Sequence, residues 1–169
     1  MKKIFFIITV TLFSANLFFA QTKKVATSSP EIQNAFPKSF DNVNDFEKIL
    51  TPNQNTTLET TLKAFYKKAF YNIIIVTISS TKPYKDFQEY TQNLDNYLAN
   101  DLKLDPTILI VLSKELRQVQ VLGVQLISYK LNDDQTKEII ATYAVPEFKK
   151  GDYYKGLEDA CAQLIKKLQ

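Results

Sequence analysis

Ile73-Ile-Ile-Val-Thr-Ile78 decides the fold, together with its counterpart Thr107-Ile-Leu-Ile-Val-Leu112. Both runs are rich in β-branched residues, and neither alternates between apolar and polar positions. A strand with one solvated face alternates. A continuous apolar run of this length predicts a strand buried on both faces, and therefore a sheet covered by helices on two sides. Between the two runs, Ser79 to Tyr84 is polar and contains Pro83, and reads as a loop. Phe87, Tyr90, Leu94, Tyr97 and Leu98 then recur at helical spacing. The unit is strand, helix, strand, and its crossover should be right-handed if the strands lie parallel.

Working outward, Gln118-Val-Gln-Val-Leu122 alternates as a half-exposed strand does, and Ser113 to Leu116 is short enough to make a hairpin with the preceding run. On the N-terminal side, Thr51-Pro52 is a helix start, with Thr at the N-cap and Pro at the first helical position. Leu58, Leu62, Phe65 and Ala69 give that helix one apolar face. Phe40 to Phe46 mixes aromatic residues with Asn and Asp and predicts an irregular segment packed by Phe40, Val43 and Phe46. After the hairpin, Asn132-Asp133-Asp134 offers N-caps for a helix through Ile139, Ile140 and Tyr143, which Pro146 should end. The last helix starts near Asp152 and aligns Leu157, Cys161, Leu164, Ile165 and Leu168. The order predicts an α/β protein: a three-layer α/β/α domain over residues 36–169, with a small mixed sheet flanked by helices.

The N-terminus has a different character. Lys2 and Lys3 precede an apolar stretch from Ile4 to Phe13, and Leu17-Phe-Phe-Ala20 ends on a small residue. That layout predicts a secretory signal peptide over residues 1–20, cut after Ala20. Residues 21–35 are polar and read as a flexible leader. No later window approaches the roughly twenty apolar residues of a membrane helix, so no anchor is expected after cleavage. The expected location is extracytoplasmic, periplasmic or secreted.

Composition excludes several chemistries. Histidine is absent and Cys161 is the only cysteine, so an intrachain disulfide, a Cys/His zinc site and Ser-His-Asp or Cys-His catalysis are all ruled out. Cys161 falls within an apolar stripe and reads as an inert core thiol. The formal net charge of +3 falls to about +1 without Lys2 and Lys3, which gives no electrostatic case for nucleic acid.

Several segments resemble the TPM domain, a family that includes a thylakoid-lumen phosphatase and many bacterial envelope proteins. Val43-Asn-Asp-Phe46 followed by Ile49-Leu-Thr-Pro52 is similar to its opening turn. Asp105-Pro-Thr-Ile-Leu-Ile-Val-Leu112 stands where the family has D-N-G-V-L-L-L-V. Pro146-Glu-Phe-Lys-Lys-Gly-Asp-Tyr153 and Gly156-Leu157 match its closing P-x-F-(K/R)-x-G-D-Y-x-x-G-L motif. The resemblance runs from about Phe36 to Leu168 and implies a metal-assisted acid phosphatase using Ca²⁺ or Mg²⁺.

Two departures weigh against that chemistry. Pro106-Thr107 replaces the family's Asn-Gly, and Val124-Gln-Leu-Ile-Ser128 replaces a G-x-G-L-E turn, with Gly123 out of register. A glycine-rich turn lets backbone N–H groups approach a ligand, and a Glu adds a hard oxygen donor. Asp45, Asp105 and Asp133 remain as acidic candidates at loop ends and would suit Ca²⁺ or Mg²⁺ if they converge. Their plainer roles are turn former, pre-strand turn residue and helix cap. No residue is assigned a catalytic role. Lys149, Lys150, Tyr153, Tyr154 and Lys155 form a basic and aromatic segment suited to protein contact. The expectation is a non-catalytic accessory or interaction module with an envelope protein as its partner, the alternative being the metal-assisted phosphatase.

Overall fold

The computed structural model describes residues 36–123 and 129–169. The expected signal peptide (residues 1–20), the expected leader (residues 21–35) and residues 124–128, where the departure from the G-x-G-L-E pattern falls, lie outside the described residues. The elements are β1 (Val43–Asp45), α1 (Pro52–Ala69), β2 (Ile73–Thr77), α2 (Phe87–Asn100), β3 (Ile108–Ser113), β4 (Gln118–Gly123), α3 (Asp133–Ile139), a π-helical segment (Ile140–Ala144), α4 (Val145–Lys150) and α5 (Tyr153–Leu168). The strands form one sheet in the order β1-β2-β3-β4. β1, β2 and β3 run parallel, and β4 returns antiparallel to β3.

Every residue of β2 and β3 is buried, as their continuous apolar runs require. Odd and even positions serve different layers. Ile73, Ile75, Ile108, Ile110 and Leu112 face Leu58, Leu62 and Phe65 of α1 and Leu157, Cys161 and Leu164 of α5. Ile74, Val76, Leu109 and Val111 face Phe87, Tyr90, Leu94 and Leu98 of α2. The three-layer α/β/α arrangement therefore follows from the period of two along strands that no water reaches. Each fully buried Ile or Leu contributes about 1.5–3 kcal/mol relative to exposure. Both parallel crossovers step the same way across the sheet, yet α1 and α2 lie on opposite faces. One is therefore right-handed and the other left-handed, a departure from the usual rule.

Sequence reasoning missed β1. Asn42 and Asn44 hold it against β2 through their side chains: Asn42 Nδ2 donates to Ile73 O at 2.8 Å and Asn44 Nδ2 donates to Ile75 O at 3.2 Å. Polar residues that read as loop thus make a strand by adding side-chain bonds to a short ladder. Val43 is buried as expected, but Phe46 is 46% exposed, its ring set edge-on to Phe40 at 5.7 Å between ring centroids. The outer edge of β1 is closed by α1, because Glu59 accepts from Val43 N at 2.6 Å and from Asn42 N at 3.3 Å.

Pro146 does not end the helix that Asn132 caps. The chain widens into a π turn, with Val145 N–H donating to Ile140 O, and continues as α4 with Pro146 in its first turn. Proline lacks the N–H that an α-helix would need and its ring crowds the carbonyl four residues back. A π turn absorbs both faults. The actual stop is Gly151, at φ 87°, with Gly151 N donating to Phe148 O and Asp152 N to Glu147 O, both at 3.0 Å. That is a Schellman closure. Asp152 then caps α5 by accepting from Lys155 N at 2.9 Å, so the Gly-Asp-Tyr step in the closing motif is a two-residue joint between helices.

Candidate functional site

The three acidic candidates fall at two opposite ends of the sheet. Asp45 ends β1, at the C-terminal edge of the parallel strands. Its carboxylate accepts from Thr77 Oγ1 at 2.5 Å, Leu50 N at 2.8 Å and Ile49 N at 3.1 Å. Thr77 Oγ1 in turn accepts from Glu47 N at 3.0 Å, and Glu47 accepts from Lys114 N at 2.8 Å and Glu115 N at 2.7 Å. Asp45 and Glu47 are thereby tied to backbone donors of two loops. Asp105 precedes β3 with φ 40° at the other edge. Asp133 opens α3 near Gly123, which pairs with Ile108 at that same far edge. The cap of α3 is Asn132, which accepts from Gln135 N at 2.9 Å.

Ile108 and Leu112 are four residues apart along β3, so Asp45 and Asp105 are separated by more than roughly 13 Å. Among the described residues, no group of three His, Cys, Asp or Glu side chains converges as a metal site. A calcium ion needs six to eight oxygen ligands. The three carboxylates do not fit a common cation.

The basic and aromatic candidates separate into two sets. Lys149, Lys150 and Tyr153 line a groove of about 640 Å³ with Ser113, Arg117, Val119, Val145 and Phe148. The Phe148 and Tyr153 rings stack at 5.4 Å, and Lys114 Nζ lies 5.8 Å from the Tyr153 centroid. Lys150 pairs with Glu147 at 2.7 Å. Tyr154 and Lys155 turn to their own helix: Tyr154 Oη donates to Glu158 at 2.6 Å, and Lys155 pairs with Asp159. The bond to Glu158 raises the Tyr154 pKa above its ordinary value.

Sequence reasoning missed Arg117, and the reason is legible. It sits in the hairpin turn at φ 52°, where propensity says nothing about direction, and only the antiparallel return of β4 carries it to α4. The groove lies at the C-terminal ends of the strands, where open α/β sheets commonly bind ligands. Its cations, its stacked rings and its apolar floor of Val119 and Val145 suit an anionic, partly apolar ligand better than a metal ion.

The fold is thus a three-layer α/β/α class with a basic and aromatic groove at one sheet end. A family model, TPM domain, matches residues 43–167. The chain belongs to the TPM domain family. Among solved structures it is similar to the N-terminal domain of a protein from P. gingivalis, with TM-score 0.67, 23% identity, and coverage of 82% of this chain and 87% of that one. It is also similar to the N-terminal domain of the cg2496 protein from Corynebacterium glutamicum, with TM-score 0.59, 16% identity, and coverage of 80% and 85%. At these identities the likeness concerns the fold. No curated protein matches the chain.

Among the described residues, no helix is long and apolar enough to cross a membrane. Cys161 is 2% exposed, and burial pushes its thiol pKa up to about 12.

Proposed function

We propose that this TPM domain acts outside the cytoplasm as a non-catalytic interaction module of the cell envelope. The groove between β3–β4 and α4 is its contact surface. One observation carries the reading: Lys149, Lys150 and Tyr153 share a groove with Arg117, whereas the acidic candidates are split between opposite sheet ends. The N-terminal sequence, with its Lys2-Lys3 start and apolar core, supports an extracytoplasmic location. The partner would present acidic and apolar groups together.

The competing reading is a metal-assisted phosphatase. Phosphoryl transfer of that kind needs a divalent ion to orient water and neutralise charge. The decisive assay is hydrolysis of a simple aryl phosphate ester, with and without Ca²⁺ or Mg²⁺, by the wild type and by Asp105→Asn. Background rates in all four conditions are expected. Metal-dependent hydrolysis that the substitution abolishes would overturn the module reading.

A further inference from the structure

The two edges of the sheet are finished differently. β1 is covered by Glu59, as described above. β4 is a six-residue edge strand with no Pro or Lys, and Val119, Val121 and Leu122 lie within it. Proteins usually blunt such an edge, because its free N–H and C=O groups invite another strand.

The hydrogen-bond phase identifies which groups are free. Ile108 N donates to Asn72 O, and Leu112 O accepts from Ile78 N. Residues 108, 110 and 112 therefore turn their backbone groups to β2, and 109, 111 and 113 turn theirs to β4. In an antiparallel pair directly opposed residues bond together or not at all. Leu122, Gln120 and Gln118, opposite 109, 111 and 113, are thus the bonded positions. Val119, Val121 and Gly123 direct their N–H and C=O groups away from the sheet. Among the described residues, nothing hydrogen-bonds those of Val119 or Val121.

The same edge floors a trough. One cavity of about 500 Å³ runs along Val119 to Gly123, between Gln88 and Gln92 of α2 on one side and Lys137, Ile140 and Val145 on the other. At the Arg117 end it meets the basic groove and a third cavity of about 630 Å³ that Asp86, which caps α2, and Phe87 help to line. Val119 lines all three.

We infer that β4 accepts an extended peptide segment of a partner protein as a fifth, antiparallel strand, with the acidic C-terminal half of that segment at Arg117 and Lys149. The inference rests on the interaction-module reading and gives it a mode of binding: main-chain bonds supply affinity and the flanking side chains supply selectivity. Charge fixes the end at which the acidic half lies. Arg117 and Lys149 stand at one end of the trough, where Lys150 is already paired to Glu147 and Asp86 stands on the α2 side, while Asp133 and Lys137 balance each other at the far end. An antiparallel segment enters at the Asp133 end and leaves at the Arg117 end. The chain's own residues 21–35 carry Lys23 and Lys24 against Glu31, the wrong sign for that end. A second folded copy would bring its own α2 and α3–α4 walls against these. A single extended strand brings no such walls.

The test uses a fluorescent octapeptide of alternating valine and threonine ending in aspartates, and a counterpart with the aspartates first. The first should bind the protein at least roughly tenfold tighter than the second. Val119→Pro removes one outward N–H without touching the β3 ladder, so it should weaken binding roughly tenfold and leave the melting temperature near wild type. Arg117→Glu, at an exposed turn position, should abolish the preference for the acidic end even if the proline variant is poorly folded. Equal binding of the two peptides, or indifference to Arg117→Glu, overturns the inference. So does a dimer in light scattering that Val119→Pro dissolves, since the edge then belongs to a second copy. The phosphate-ester assay is independent of all these outcomes, so loss of the strand mode and loss of the module reading can be told apart.

Discussion

Asp95 lies half-buried on α2, and its carboxyl pKa is raised first by that burial and then by the charge of Asp105. The sign of its effect on stability follows. A carboxyl whose folded pKa exceeds its unfolded value favours folding in its protonated form. The contribution is fully present below the ordinary carboxylate pKa of about 4 and is lost as pH rises through the raised value. Asp95→Asn should therefore melt at a higher temperature than wild type at pH 7, with the gap closing as pH falls below about 4. Melting curves across that range check it, and a constant gap would assign the gain to packing instead. Cys161 was readable as inert because its place in an apolar stripe already excluded solvent and cations. The commitments of Asp45 were not readable, because its partners are Thr77, Ile49 and Leu50, and the bond to Thr77 exists only once β1 is recognised as a strand.

At the scale of elements, the closing motif makes physical sense residue by residue. A Cβ on Gly156 would lie 2.6 Å from Phe148 Cε1 and 2.9 Å from Ala144 O, so the glycine lets α4 and the π segment press against α5. A Cβ on Gly151 would meet nothing within 4 Å, and there the backbone at φ 87° is the whole reason. Gly156→Ala should cost roughly 1–3 kcal/mol through overpacking. Gly151→Ala should cost about 1 kcal/mol through left-handed strain. Urea unfolding with unchanged m-values would measure both. Alanine in a free helix interior stabilises relative to glycine, so a gain from Gly156→Ala would refute the close-approach argument. Helix starts were legible because caps are local: Thr51, Asn132 and Asp152 each bond within three residues. The course of the chain through Pro146 was not, because a π turn leaves no mark in propensity. β1 was hidden because its Asn residues read as turn formers and gain their partners only from β2.

For the whole molecule, the two-sided burial of β2 and β3 specified the layers, and the succession of apolar runs, helix caps and turns along the chain specified the order of parts. Lys149, Lys150 and Tyr153 were legible as a surface because they are neighbours in the chain. Their link to Arg117, and the open edge that continues the groove, arise from β4 running back along β3, which is a property of the sheet alone. The central claim is that this edge, unpaired among the described residues, has its outward groups at alternate residues and is open to a partner strand. Amide hydrogen exchange read residue by residue tests it most directly. In the free protein, the amides of Val119 and Val121 should exchange quickly, while those of Gln120 and Leu122, bonded to β3, exchange slowly. Adding the acidic-ended peptide should slow Val119 and Val121 selectively. Amides at Val119 and Val121 already as slow as that of Gln120, without any peptide, would show that the edge is covered and would contradict the account.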